Sequence, residues 1–198
     1  MLLDISATEK REGWKGYFQM LLHVLLLLCS GAVLADASVW LLVDTQAHVL
    51  KVMEGDRVIQ VFEGIAIGRG GVARNHMRRR GDQTTPLGRF RIAWINPKSR
   101  YHLFFGLNYP TLPYATTAYR EGWISDTLYR RLIAAHFEGG RPPQDTPLGG
   151  YIGIHGLGRA DPKIHRLLDW TEGCIALTNE QIERLRRWVK VGTQVVIR

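Results

Sequence analysis

Cysteine is scarce in this chain of 198 residues: there are two, Cys29 and Cys174. Two thiols exclude a disulfide-framework domain, and their distance in sequence excludes a C-x-x-C motif. There are no heptads, no Gly-X-Y period and no repeat at solenoid spacing. Acidic residues are also in short supply: 18 Asp and Glu face 26 Lys and Arg, a formal balance of +8. Such a surplus suits an anionic partner, whether nucleic acid, anionic lipid or an anionic polymer. No nucleic-acid-binding motif accompanies it, which argues against the first. No apolar run reaches the ~20 residues that a spanning helix needs. What remains is ordinary globular material, with 45% hydrophobic and 22% charged residues, enough for one domain with an appendage.

The appendage is the first 37 residues. Lys10, Arg11 and Lys15 precede an apolar run from Met20 to Ala35, whose heart is Val24-Leu25-Leu26-Leu27-Leu28. The run ends in Ala35-Asp36-Ala37, a small-x-small pattern. A basic flank, a short apolar core and a small-residue exit describe a secretory signal peptide, which predicts a periplasmic or envelope location. An uncleaved N-terminal anchor is the alternative, and membrane contact is expected only through this segment. Lipid attachment at Cys29 is disfavoured, because Leu28 before it is not small. Removal of the leader takes Cys29 with it and leaves Cys174 as a lone thiol in an oxidising compartment.

Residues 38–198 read as strands first. SVWLLV at 38–43, HVLKVM at 48–53 and RVIQVF at 57–62 are β-rich or alternating, with Glu54-Gly55-Asp56 as a hairpin turn. RFRIAW at 89–94 and YHLFFGL at 101–107 continue the pattern, residues 151–155 give a short strand, and Val195-Val196-Ile197 gives another. Between them, residues 115–138 read as helical, with Leu128, Leu132 and Ile133 on one face. This places a helical insertion at about 114–140. Thr178 and Gln181 fit a capping box for a second helix, and Gly192 fits its C-cap. The expected fold is mainly β with short helices, a sandwich or barrel carrying a helical insertion.

The chemistry gathers at Ile154-His155-Gly156 and Asp169-Trp170-Thr171-Glu172-Gly173-Cys174. A thiolate, not a thiol, is the nucleophile, and a free thiol is mostly protonated at pKa ~8.5. A neighbouring imidazole can take that proton. Gly173 permits a tight turn at the nucleophile, and amides around Cys174 can face a developing oxyanion. The ordinary alternative is a small core cysteine and a structural histidine.

The sequence resembles the L,D-transpeptidase catalytic domain (YkuD) family. The matching pieces keep their order along residues 38–198: LLVD, HVLKV, TPLGRF, the NYP tripeptide, GGYIGIHG, WTEGCIALTN and GTQVVI. It is closest to the YafK-like murein enzyme branch with a DWT-x-GC signature. The resemblance implies an L,D-transpeptidase-like fold and an envelope enzyme that acts on peptidoglycan stem peptides without a cofactor. It implies Cys174 as nucleophile, His155 as base, Gly156 as the carbonyl that orients His155, and Gly173 as part of the turn. Many members read S-H-G-C and then Ile-Arg. Here Thr171-Glu172 precede Gly173, and Ala176 stands where the Arg is expected.

That branch includes enzymes that hydrolyse a peptidoglycan–protein link. Transfer, L,D-carboxypeptidase action and release of a tethered envelope protein therefore all remain open. A non-catalytic sacculus-binding module is the reading from a different class. Tyr151, Trp170, Thr171 and Glu172 are assigned to the substrate groove, against simple packing. His165 is expected on a surface loop, and Asp169 and Glu172 are expected to pair with Arg159 or Arg166. Arg78-Arg79-Arg80 is read as a solvated or sacculus-facing loop. His155, His165 and Cys174 lack compact metal-ligand spacing, so no metal site is expected.

Overall fold

The computed structural model describes residues 38–198. The expected leader at 1–37, with Cys29, lies outside the described residues. Three strands open the domain as an antiparallel meander: β1 (Val39–Asp44), β2 (Val49–Glu54) and β3 (Arg57–Glu63). Alternation sends Leu41, Val43, Leu50 and Val52 into the core, each with no exposed surface. A short pair follows, β4 (Val72–Ala73) beside β5 (Thr85–Pro86).

The longest strand, β6 (Gly88–Ser99), serves two partners. Its first residues pair with β10 (Gln194–Ile197), and from Ile92 onward it pairs with β7 (His102–Leu107). A register shift between Ile92 and Trp94 marks the change, as expected where a bulge bends a strand. β10 also runs parallel to β1, with Leu41 opposite Val195 and Val43 opposite Ile197. β7 then pairs with β8 (Gly153–His155), and β8 runs parallel to β9 (Ile175–Ala176).

The eight-stranded order is therefore β3-β2-β1-β10-β6-β7-β8-β9. Beyond β3 the chain returns to the far edge. Ala66 and Ala176 exchange backbone hydrogen bonds of 3.0 and 2.8 Å, which ties β9 back to the segment after β3. The expected sandwich or barrel is this curled sheet, with Phe62, Phe90, Phe105, Ile154 and Ile175 inside it.

Between β7 and β8 lie two helices, α1 (Leu112–Arg120) and α2 (Asp126–Glu138), rather than one helical stretch. Gly122, at φ 69°, sits in the break between them. Ser125 caps α2 by accepting from the Leu128 amide, and Tyr119 stacks on Tyr129 across the pair at 4.4 Å. α3 (Pro162–Leu167) starts at an Asp161 cap, and α4 (Asn179–Leu185) at the Thr178–Gln181 capping box. After α4 comes a single 3-10 turn, Arg186–Trp188, so Gly192 is not its C-cap but belongs to the turn into β10.

Phe105 is fully buried at the centre of β7. Its replacement by Ala is expected to cost about 3–5 kcal/mol in chemical denaturation, as for other buried aromatics.

Candidate active site

Parallel pairing of β8 with β9 sets Ile154 against Ile175 and His155 against Ala176. Side chains alternate along a strand, so Cys174, two residues before Ala176, projects to the same side as His155. Both line one cleft of about 1140 Å³. Gly153 lets the β8 backbone come close to β7: a Cβ there would meet the Phe104 ring and the Phe105 carbonyl at 2.5 Å.

His155 is buried within aromatic rings. Tyr101 stacks on it at 4.3 Å between centroids, Phe104 lies at 6.1 Å and Trp170 stands edge-on at 6.1 Å. Its Nδ1 donates to the Gly156 carbonyl at 2.6 Å. The proton is thereby fixed on Nδ1, and Nε2 is left as the acceptor. Desolvation in this aromatic box lowers the His155 pKa to about 4. Burial has the opposite effect on an acid that ionises to an anion, and pushes the half-buried Cys174 thiol up to about 11. Its Sγ donates to the Tyr151 carbonyl at 3.4 Å. Both shifts run toward the neutral forms, thiol and imidazole.

The turn before the cysteine is internally bonded. Thr171 Oγ1 donates to the Cys174 carbonyl at 2.7 Å and accepts from the Gly173 amide at 3.1 Å. The Thr171 amide and carbonyl bond Ile67 and Arg69. Thr171 borders the cleft, while its side chain is buried and its hydroxyl is occupied within the turn. Gly173 has φ 117°, which disfavours any other residue, and a Cβ there would meet the Thr84 carbonyl at 2.5 Å.

Tyr151, Trp170 and Glu172 all line the cleft, Tyr151 from an exposed position. Arg141 lies 4.0 Å above the Trp94 ring and 5.4 Å from that of Tyr151, and so joins two walls of the cleft. Neither Trp94 nor Arg141 was marked by any motif.

Three expectations are corrected. His165 is not on a surface loop: α3 turns it inward, where it is 5% exposed and its Nδ1 accepts from the Trp170 indole at 3.3 Å. Burial lowers its pKa. Asp169 pairs with His48 at 3.1 Å and accepts from the Ile67 amide at 2.8 Å, rather than meeting Arg159 or Arg166. Of the three consecutive arginines, Arg78 is buried and Arg79 stacks on Trp123 at 3.8 Å; Arg80 borders the cleft. Among the described residues, no three His, Cys, Asp or Glu side chains converge to hold a metal ion.

A curled β-sheet with a thiol and an oriented imidazole facing one cleft defines a domain suited to thiol acyl chemistry. The family model for the L,D-transpeptidase catalytic domain, YkuD, matches residues 38–197. The chain belongs to that family, and its fold is the family's. The helical cell shape determining protein Pgp2 from Campylobacter jejuni is 23% identical, with a TM-score of 0.53 over 82% of this chain and 48% of that one. Bd1075 from Bdellovibrio bacteriovorus is 20% identical, with a TM-score of 0.51 over 84% and 49%. The chain spans about half the length of these solved structures, and at such identities the likeness is one of fold. No curated protein matches the sequence.

The depressed His155 pKa has a consequence for stability. The unfolded chain, with a His pKa of ~6.5, takes up a proton more readily than the folded one. The contribution of neutral His155 is therefore whole above pH ~6.5 and is lost as pH falls through about 4. The shift corresponds to on the order of 3 kcal/mol at ~1.36 kcal/mol per unit. Denaturation of the parent and of His155→Gln at pH 7.5 and pH 4 should show the parent losing several kcal/mol more than the variant.

Proposed function

We propose that the chain is a cysteine-dependent peptidoglycan L,D-transpeptidase that works through an acyl-enzyme. The observation that carries this reading is the shared cleft of Cys174 and His155, with His155 Nδ1 held by Gly156 so that Nε2 is the acceptor. The family acts on stem peptides, and a basic cleft border of Arg80, Lys98, Arg100 and Arg141 suits a donor that bears carboxylates.

His155 Nε2, the free acceptor of the ring, takes the proton of Cys174 Sγ on the way to attack. Sulfur bonds to the donor carbonyl carbon, and the carbonyl oxygen gains the charge. The Gly173 amide already donates to Thr171 Oγ1, so the turn's oxyanion donor is the Cys174 amide. The C–N bond then breaks, and His155 returns its proton to the leaving amine. The resulting thioester is resolved by an acceptor amine, which forms a cross-link or exchanges the terminal residue.

Resolution by water is the second reading, and would give an L,D-carboxypeptidase or an amidase that frees a tethered envelope protein. It is favoured by Glu172, a carboxylate at the cleft where many relatives carry histidine. The leader pattern at 1–37 supports a place in the periplasm or cell envelope. The fold's likeness to Pgp2, a helical cell shape determining protein, suggests wall remodelling as the setting.

The purified chain should be incubated with isolated sacculi and the muropeptides read by mass spectrometry, beside Cys174→Ala. New cross-links or D-amino-acid exchange that disappear in the variant are expected. Cys-dependent loss of a terminal residue or a tethered protein, without new links, would establish hydrolysis. Products unchanged by the substitution would overturn both readings and leave a binding module.

A further inference from the structure

Arg78 is a buried cation whose one ion-pair partner, Asp82, stands at the long limit of such a contact. It is 3% exposed, and the nearest acid, Asp82, lies 3.9 Å from its Nε. Three backbone carbonyls surround it instead. Nε donates to Thr84 at 2.8 Å, Nη1 to Leu148 at 2.6 Å and Nη2 to Glu172 at 3.1 Å. Its guanidinium also lies 5.1 Å from the centre of the Tyr109 ring. Carbonyl acceptors satisfy its donors, and Asp82 at 3.9 Å offsets its positive charge only in part. Burying such a charge is costly, so the arrangement invites an anion nearby.

The three carbonyls belong to three separate segments: the stretch before β5, the loop before β8 and the turn before the cysteine. Glu172 is two residues before Cys174, and a Cβ on Gly173 would lie 2.9 Å from Arg78 Nη2. Both Arg78 and Cys174 reach the cleft. The sequence around Cys174 supplies no cation of its own, since Ala176 stands where an Arg was expected and Glu172 is acidic.

We propose that Arg78 is the positioning residue of Cys174: its guanidinium clamps the Glu172–Cys174 turn and supplies the fixed positive charge against which the thiolate forms. This rests on the reading of Cys174 as the nucleophile. The other groups facing the thiol are His155 from β8 and Glu172 on its own turn. Arg80, Lys98, Arg100, Arg141 and Asp145 stand around the cleft. Arg78 differs from these four cations and one acid in being buried, so solvent does not screen it. The influence of Arg78 on the thiol is to favour its charged form, opposing burial and Glu172.

The test needs no peptidoglycan. Alkylation of the Cys174 peptide by iodoacetamide, read by mass spectrometry from pH 6 to pH 10, follows the thiolate. The full-length parent is compared with Arg78→Met, which removes charge and clamp, and Arg78→Lys, which keeps charge and loses the fork. The expected result is a drop of about tenfold or more at pH 8 for Arg78→Met, equal to one unit of thiol pKa. Because the whole range lies below the thiol's inflection, the profile of Arg78→Met should run parallel to the parent's and about tenfold lower, while Arg78→Lys stays within about threefold of the parent. Any other pattern in folded variants overturns the proposal, including an equal loss in both, which would leave Arg78 a structural clamp only. Should Arg78→Met fail to fold, Arg78→Lys decides: a parent-like profile supports the fixed charge, and a tenfold drop overturns it. Retention of sacculus turnover by Cys174→Ala would instead defeat the underlying reading, whatever the alkylation rates.

Discussion

The short parallel ladder between β8 and β9 is the constraint on which the site depends. Only two residue pairs define it, Ile154 with Ile175 and His155 with Ala176. A slip of one residue would reverse the side chains of one strand and separate the imidazole from the thiol. The register is held from both sides. Ile154 and Ile175 are fully buried, so a slip would bring them out of the core. Ala176 is also tied through its backbone to Ala66. The site is thus fixed by packing beneath the sheet rather than by a direct bond between its two reactive groups.

Desolvation governs the chemistry laid on that frame. The rings of Tyr101, Phe104 and Trp170 keep water from His155 and favour its neutral form. Burial likewise disfavours the charged form of Cys174. A resting thiolate would be reactive toward any electrophile or oxidant in its compartment. Favouring the thiol over the thiolate reserves its nucleophilicity for a moment when the proton can move. Gly156 is central here, because its carbonyl determines which imidazole nitrogen is available.

Local patterns in the sequence announced much of this. Alternation placed β1, β2, β3, β6 and β7, and the Thr178–Gln181 box marked the start of α4 within a residue. His155, Gly156, Gly173 and Cys174 stood out because they sit in two tight clusters of chemically special residues. What escaped notice depends on contacts across long separations. Arg78 reads as one of three consecutive surface arginines, yet its partners are Leu148 and Glu172. His165 reads as a loop histidine until α3 turns it toward Trp170. Arg141 and Trp94 meet only because β6 and the segment after α2 flank the same cleft. Helical periodicity ran through Gly122 and merged α1 with α2, since a single glycine in a helical pattern is a weak stop.

One feature of the sheet bears on how the protein is made. β10 lies between β1 and β6, and it alone joins β3-β2-β1 to β6-β7-β8-β9 along the hydrogen-bonded order. Until Gln194–Ile197 have emerged from the ribosome, the growing chain has two half-sheets, each with an open inner edge. Such edges invite pairing with other chains, and the joining contacts, Trp40 with Gln194 among them, span nearly the whole domain. Contacts of this range form slowly. Joining of the two half-sheets is therefore a late event in the folding of the domain, and the unpaired inner edges are the part of the chain most exposed to wrong pairing until then.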